Sequence, residues 1–150
     1  MKHIHAVYDL AKEQGDITDS SYEALEKRWK DENAERSEKV EKGEVIYGLK
    51  EYTFQLYLDY EISTLKEKYC NDTNREGMKL TEDEIQEHYQ SREWIFGDSD
   101  ENADLERARI AVERELREQK YDDMITQRET GSQVAGNMEN VNRITLKNIQ

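Results

Sequence analysis

No proline occurs anywhere in the 150 residues of this chain. Proline lacks the backbone N–H that a helix interior needs and clashes with the preceding turn, so its absence lets helices run long and unkinked. Turns must then be made by Gly, Asn, Asp and Ser, which reach tight conformations or hydrogen-bond their own backbone. A second constraint is how little such helices have to bury. Only 35% of the residues are apolar and 38% are charged, less apolar than a compact domain usually is. Two arrangements meet both constraints: an elongated helical body with thin hydrophobic stripes, or a body that completes its core with a second copy. The expected fold class is therefore mainly α, with four to five helices in an elongated bundle, an intertwined pair of copies being one form of it, and a small two-stranded β ribbon. Disorder fits less well, because nine Tyr, two Trp and two Phe are present and the apolar residues recur regularly.

Periodicity and caps divide the chain. Residues 3–14 place Ile4, Val7, Tyr8 and Ala11 at helical spacing, and Gly15-Asp16 ends the run. Ser20 and Glu23 have capping-box spacing, predicting a helix from there to Lys42, stopped by Gly43. Its apolar positions, Tyr22, Leu25, Trp29 and Val40, are sparse. Residues 30–41 are almost wholly charged, so much of this helix must face water or a partner chain. Residues 44–48 are β-prone and lie between glycines, which reads as an extended segment or short strand. A helix from Lys50 or Thr53 to Tyr69 carries Phe54, Leu56, Tyr57, Tyr60, Ile62, Leu65 and Tyr69 and is the richest core element. Asn71, Asp72, Thr73, Asn74 and Gly77 make a loop. Thr81 and Glu84 give a second capping box, opening a helix with Ile85, His88 and Tyr89 that extends towards Trp94, Ile95 and Phe96. Residues 97–102 interrupt. The last helix is expected over 103–129, lined by Leu105, Ala108, Val112, Leu116, Met124 and Ile125. Residues 141–146 alternate apolar and polar and read as a strand; a lone strand is unstable, so it is expected to pair with residues 45–47. The expected domains are a helical one over 1–130 and a tail over 131–150.

A formal net charge of −13 repels phosphate backbones and anionic bilayers, which excludes nucleic acid as a partner and an anionic membrane surface as a site. No stretch approaches the roughly 20 apolar residues of a membrane span. The first ten residues lack the apolar core of a signal peptide. The expected location is extracytoplasmic if a leader has been trimmed, and cytoplasmic otherwise. Cys70 is the single cysteine; no histidine stands beside it, so it reads as a structural thiol and not a nucleophile.

Each chemical motif has a plainer reading that fits better. His3 and His5 would share a face only in a strand, and no third metal ligand accompanies them. Asp98, Asp100 and Asn102 match the opening of a calcium loop, but Ala103 stands where the sharp turn needs Gly and Arg109 where a bidentate Glu belongs. Glu84 and His88, one turn apart, read as a surface pair. No Gly-rich phosphate loop, nucleophile elbow or Cys-x-x-Cys is present. No metal, cofactor or catalytic residue is expected. The aromatic residues remain. Tyr and Trp suit surfaces that grip varied segments, since a flat ring with a polar tip makes contact at low entropic cost.

The stretch 79–90, with Thr81, Ile85 and Tyr89, continuing to Trp94-Ile95-Phe96, resembles the Thr-capped helix that precedes the isomerase domain in SurA/PrsA-type foldase chaperones. Residues 108–127, especially Val112, Leu116, Lys120-Tyr121 and Ile125, resemble the helix that follows that domain, and residues 47–54 resemble the opening of the preceding long helix. Where the parvulin domain would be inserted only residues 97–102 stand, so the resemblance implies the binding half without the isomerase. It implies a non-catalytic module holding unfolded or non-native polypeptides. Among the aromatic residues, Tyr57, Tyr60, Tyr89 and Trp94 are the expected peptide-groove residues, and the thin apolar stripes make a homo-oligomer the expected working form. The alternative is a structural or oligomerising helical protein, a domain-swapped dimer among its forms; a degenerate isomerase is the third reading.

Overall fold

The computed structural model describes the backbone of residues 1–147 and the side chains of residues 1–131. Five helices follow one another: α1 (Lys2–Glu13), α2 (Tyr22–Glu41), α3 (Phe54–Asn71), α4 (Glu82–Gln90) and α5 (Leu105–Lys147). The mainly α expectation stands. The β ribbon does not: the described residues contain no strand. Residues 141–146 lie inside α5. Val141 and Ile144 are three apart, a spacing that suits a helix as well as a strand, and short apolar runs do not discriminate between the two. With no proline to stop it, and with Gly131 free of any left-handed φ, α5 runs through the expected boundary at residue 130. Residues 45–47 are irregular and are held by a side chain instead of a strand: the Arg36 guanidinium donates to the carbonyls of Tyr47 and Leu49, each at 2.9 Å.

The chain forms two compact units, residues 1–65 and the residues from Lys66 onward, with the boundary inside α3. In the first unit α1 buries Val7, Tyr8, Leu10 and Ala11, and α3 contributes Tyr57, Leu58 and Leu65. From α2 only Leu25 is buried. That helix is instead laced by pairs one turn apart: Glu26–Lys30, Lys27–Asp31, Glu32–Arg36, Glu35–Lys39 and Glu38–Lys42. Opposite charges one turn apart favour the helix that brings them together, so the charged stretch is helical on its own terms, with most of its residues exposed. The start of α2 falls one residue later than expected. Asp19 accepts the Ser21 N–H at 2.8 Å, which fixes Ser21 as the cap, and the Ser21 hydroxyl then accepts from Ala24 N–H at 3.2 Å.

Tyr52 closes the first unit. Asn33 pairs with both its backbone groups, donating to the Tyr52 carbonyl at 2.9 Å and accepting from its N–H at 2.8 Å, while Trp29 Nε1 donates to the same carbonyl at 2.7 Å. Side chains of α2 thus supply hydrogen bonds that the irregular, half-buried backbone at Tyr52 would otherwise lack. Beneath it lies a buried charge. The Glu61 carboxylate accepts from Tyr8 Oη (2.5 Å), Tyr57 Oη (2.9 Å), and Arg28 Nε and Nη2 (2.6 and 3.2 Å). Burial first, and then the bond to Glu61, push the Tyr8 phenol well above its ordinary value; Tyr57 moves the same way, through burial and the nearby Glu61 charge.

In the second unit, Ile85, Trp94, Ala103, Ala108 and Val112 form one buried cluster. The expected capping box is present in full: Thr81 Oγ1 accepts from Glu84 N–H at 3.2 Å, and Glu84 accepts from Thr81 N–H at 2.8 Å. Glu84 also pairs with Lys120 on α5. Together Lys120, then Thr81, hold its carboxyl at about 2. Arg109 adds a forked pair with Glu82, at 3.0 and 2.5 Å.

Candidate functional site

Helix α4 ends at Gln90, short of the expected Trp94, because the chain turns inward to bury that indole. Trp94 is 2% exposed. Its Nε1 donates to the Tyr89 carbonyl at 3.0 Å, and its backbone is latched on both sides. The Trp94 N–H donates to Asn102 Oδ1 at 2.6 Å, and the Ala103 N–H donates to the Trp94 carbonyl at 2.8 Å. Tyr89 Oη donates to the Ala103 carbonyl at 2.8 Å. These bonds close the neck of the 95–101 loop. Asn102, which sequence spacing set beside Asp98 and Asp100, is the latch of that loop.

Beyond the closed neck, Ile95 is left half exposed and Phe96 partly so. Both lie beside a stripe of α5 at helical spacing: Arg107, Ile110, Ala111 and Arg114. Together they line a shallow groove of about 490 Å³ with Arg92, Glu115 and Glu118. Ile110 is 85% exposed, a large apolar side chain on the water side of a helix.

Charge in the groove departs from the chain as a whole. Overall, 35 acidic residues outnumber 22 basic ones, yet three arginines line the groove against two glutamates. Both glutamates are engaged. Glu115 is paired with Arg92, which holds its carboxyl below the ordinary range, and lies 3.3 Å from His88 Nε2. Glu118 is paired with Arg114 at 2.9 Å. Arg92 lies over the Trp94 ring, 3.9 Å from its centroid. Arg107 lies 5.9 Å from the Phe96 centroid, and among the described residues it has no carboxylate partner. The arrangement offers an apolar floor with one uncommitted guanidinium at its edge. Its lining side chains are Ile, Phe, Trp, Ala, Arg and Glu, which offer apolar contact and charge pairing.

The four residues expected to line a peptide groove are dispersed. Tyr57 and Tyr60 belong to the first unit, Tyr89 and Trp94 to the second. Tyr57 and Trp94 are buried and their polar atoms are taken by Glu61 and Tyr89, so these two rings are core residues. Tyr89 is half buried with its hydroxyl committed to Ala103. Tyr60 is 39% exposed and stacks on Tyr52, with centroids 5.1 Å apart. Sequence reasoning passed over Arg107 and Ile110. The available signal was an isoleucine off the buried stripe of α5 and between two arginines.

The other motifs resolve into structure. His3 and His5 lie on α1, two apart, and so on different faces. Glu84 and His88 do not pair: the carboxylate goes to Thr81 and Lys120, and His88 packs its ring edge-on against Trp94 at 5.9 Å. Cys70 is buried, which pushes its thiol up to about 11 and keeps it protonated and unreactive at neutral pH. No helix among the described residues is long and apolar enough to cross a membrane.

No family model matches the sequence. The chain is 30% identical, over 128 residues, to the chaperone for lacto-N-biosidase of Bifidobacterium longum subsp. longum, a match covering 85% of this chain and 46% of that protein. It therefore spans about half the length of this curated relative. Among solved structures, the GH136 lacto-N-biosidase from Eubacterium ramulus contains the same fold: the TM-score is 0.71 at 20% identity, covering 86% of this chain and 27% of that one. These matches overturn the resemblance to SurA/PrsA-type chaperones. A Thr cap followed by Ile85 and Tyr89 is what any capped helix packed on one side requires, so the pattern that suggested that family is not particular to it. The curated relative is named for a chaperone's role and not a catalytic one, in line with the expectation of a non-catalytic chain.

Proposed function

We propose that this chain is a folding partner dedicated to a glycoside hydrolase of the lacto-N-biosidase kind. The observation that carries the reading is the 30% identity with a chaperone for such an enzyme over 85% of the chain. The occurrence of the same fold within a GH136 lacto-N-biosidase chain supports it, since a fold that accompanies an enzyme in one chain is suited to accompany it from another. Exposed apolar side chains in both units, Val45 and Tyr47 in the first and Ile95 and Ile110 in the second, supply the non-covalent contact that such a role needs. No bond is made or broken; the chain acts by binding a surface that the client exposes while folding. The partner in this reading is one enzyme, and not non-native polypeptides in general.

Co-expression tests it. The lacto-N-biosidase of Bifidobacterium longum subsp. longum is produced with and without this chain, and soluble hydrolysis of a chromogenic lacto-N-bioside is measured. Activity several-fold higher with the chain is expected. Equal activity in both arms overturns the reading. Suppressed aggregation of an unrelated heat-denatured protein would favour a general holdase instead.

A further inference from the structure

The groove between the 95–101 loop and α5 has a chemistry of its own, and we infer that it docks a client segment in which an apolar side chain stands next to a carboxylate. This inference rests on the proposed role and names the partner's chemistry at one site. The apolar half of the recognition comes from Ile95, Phe96 and Ile110. Ile110 has no core to serve, since the neighbouring Ala108 and Val112 are fully buried and fill the face that packs on Trp94. The anionic half comes from Arg107. Arg92 and Arg114 are already neutralised by Glu115 and Glu118, and Arg107 stands 5.9 Å from the Phe96 ring with no carboxylate of its own among the described residues. A guanidinium near an aromatic ring still has N–H groups available for a forked bond to a carboxylate.

Charge complementarity selects the occupant. Elsewhere the acidic surface repels carboxylates, so an acidic segment is drawn to an apolar groove where arginines outnumber glutamates. A basic segment meets a larger excess of carboxylates over the chain as a whole than in this groove. The latch at the neck keeps Ile95 and Phe96 in place before the client arrives, which limits the ordering cost of binding.

Overlapping 15-residue peptides covering the same lacto-N-biosidase are probed with the full chain, and with Arg107→Glu and Ile110→Ser, both exposed substitutions that leave the core intact. Bound peptides are expected to carry Asp or Glu within two positions of Phe, Leu, Ile or Trp. Each variant should weaken them about tenfold, and Arg107→Glu should shift the preference towards Lys-flanked peptides. The same variants enter the co-expression assay with Lys30→Glu, an exposed change on α2, as control. Loss of support by Arg107→Glu and Ile110→Ser, with Lys30→Glu active, is the expected result. If both groove variants support the enzyme as well as the unaltered chain, or if bound peptides are Lys- and Arg-rich, the docking site is wrong while the chaperone role stands. If the unaltered chain gives no support, the role itself falls.

Discussion

Glu61 is accepted by a thin core because four donors surround it, two of them on one guanidinium. Removing one partner of a buried pair leaves a charge without compensation, which costs about 3–5 kcal/mol when burial is complete. The Arg28 side chain is 26% exposed, so water can partly replace it, and Arg28→Ala is expected to cost about 3 kcal/mol. Replacing both partners, Arg28→Leu with Glu61→Leu, should recover most of that loss. Urea midpoints of the three variants check this; a double variant as unstable as the single one would refute it. The same cluster sets the alkaline limit. Tyr8 and Tyr57 have phenols raised above the ordinary value of 10.0. Below pH 10 both folded and unfolded chains keep these protons. Above it the unfolded chain releases them first, so stability should fall as pH climbs beyond 10. Tyr8→Phe, at a cost of about 2 kcal/mol at neutral pH because its hydroxyl donates to a carboxylate, should flatten that fall in a thermal-melt series. Little of this was legible beforehand. Glu61 sits one turn from both Tyr57 and Leu65, which is a signal, but in a chain with 35 acidic residues any helix offers such a spacing.

Local signals fared best where the backbone chemistry is local. The capping box at Thr81 and Glu84 was readable because its two bonds involve only residues three apart. Its pH dependence was not, since Lys120 is 36 residues away. Glu84 has its carboxyl lowered from 4.5 to about 2. The stabilisation is therefore complete above pH 4.5 and drains away as pH falls from there towards 2. Glu84→Gln should lower the melting temperature at pH 7 and remove part of the acid-induced drop, and thermal melts at pH 7 and pH 3 compare the two. Asn102 teaches the converse. Among Asp98, Asp100 and Asn102 its oxygen suggested a ligand set, whereas its real partner, the Trp94 N–H, lies eight residues back across a closed loop. Asn102→Ala removes the acceptor of that part-buried N–H, a loss of about 1 kcal/mol. It should also weaken client peptides through the freed Ile95 and Phe96, with no groove residue altered. Unchanged stability together with unchanged peptide affinity would show that the latch does nothing.

At the scale of the molecule the balance is between a large negative charge and exposed apolar groups. The five helices and the paucity of core were legible from composition and spacing, because burying few residues while keeping a regular chain leaves little else than helices with narrow stripes. The buried face of α5, with Ala108 and Val112, was legible; the groove was not, because it depends on how the chain after α4 turns Ile95 and Phe96 beside α5, and only the folded chain decides that. Charge keeps the exposed groups apart in solution. At pH 7 the formal charge is −13, and it vanishes near the sequence pI of about 4.7. There the side chains of Tyr47 and Ile110, 86% and 85% exposed, have no repulsion to hold them from neighbouring molecules. Light scattering is expected to peak near pH 4.7 and to fall on either side. Helicity should be retained at the peak, because Glu84 stays ionised until the pH is well below it. Combining Tyr47→Ser with Ile110→Ser should lower the peak while leaving its position unchanged, since neither residue carries charge. A peak that follows loss of helicity, or one that the paired substitutions do not touch, would mean that unfolding and not surface contact drives the association.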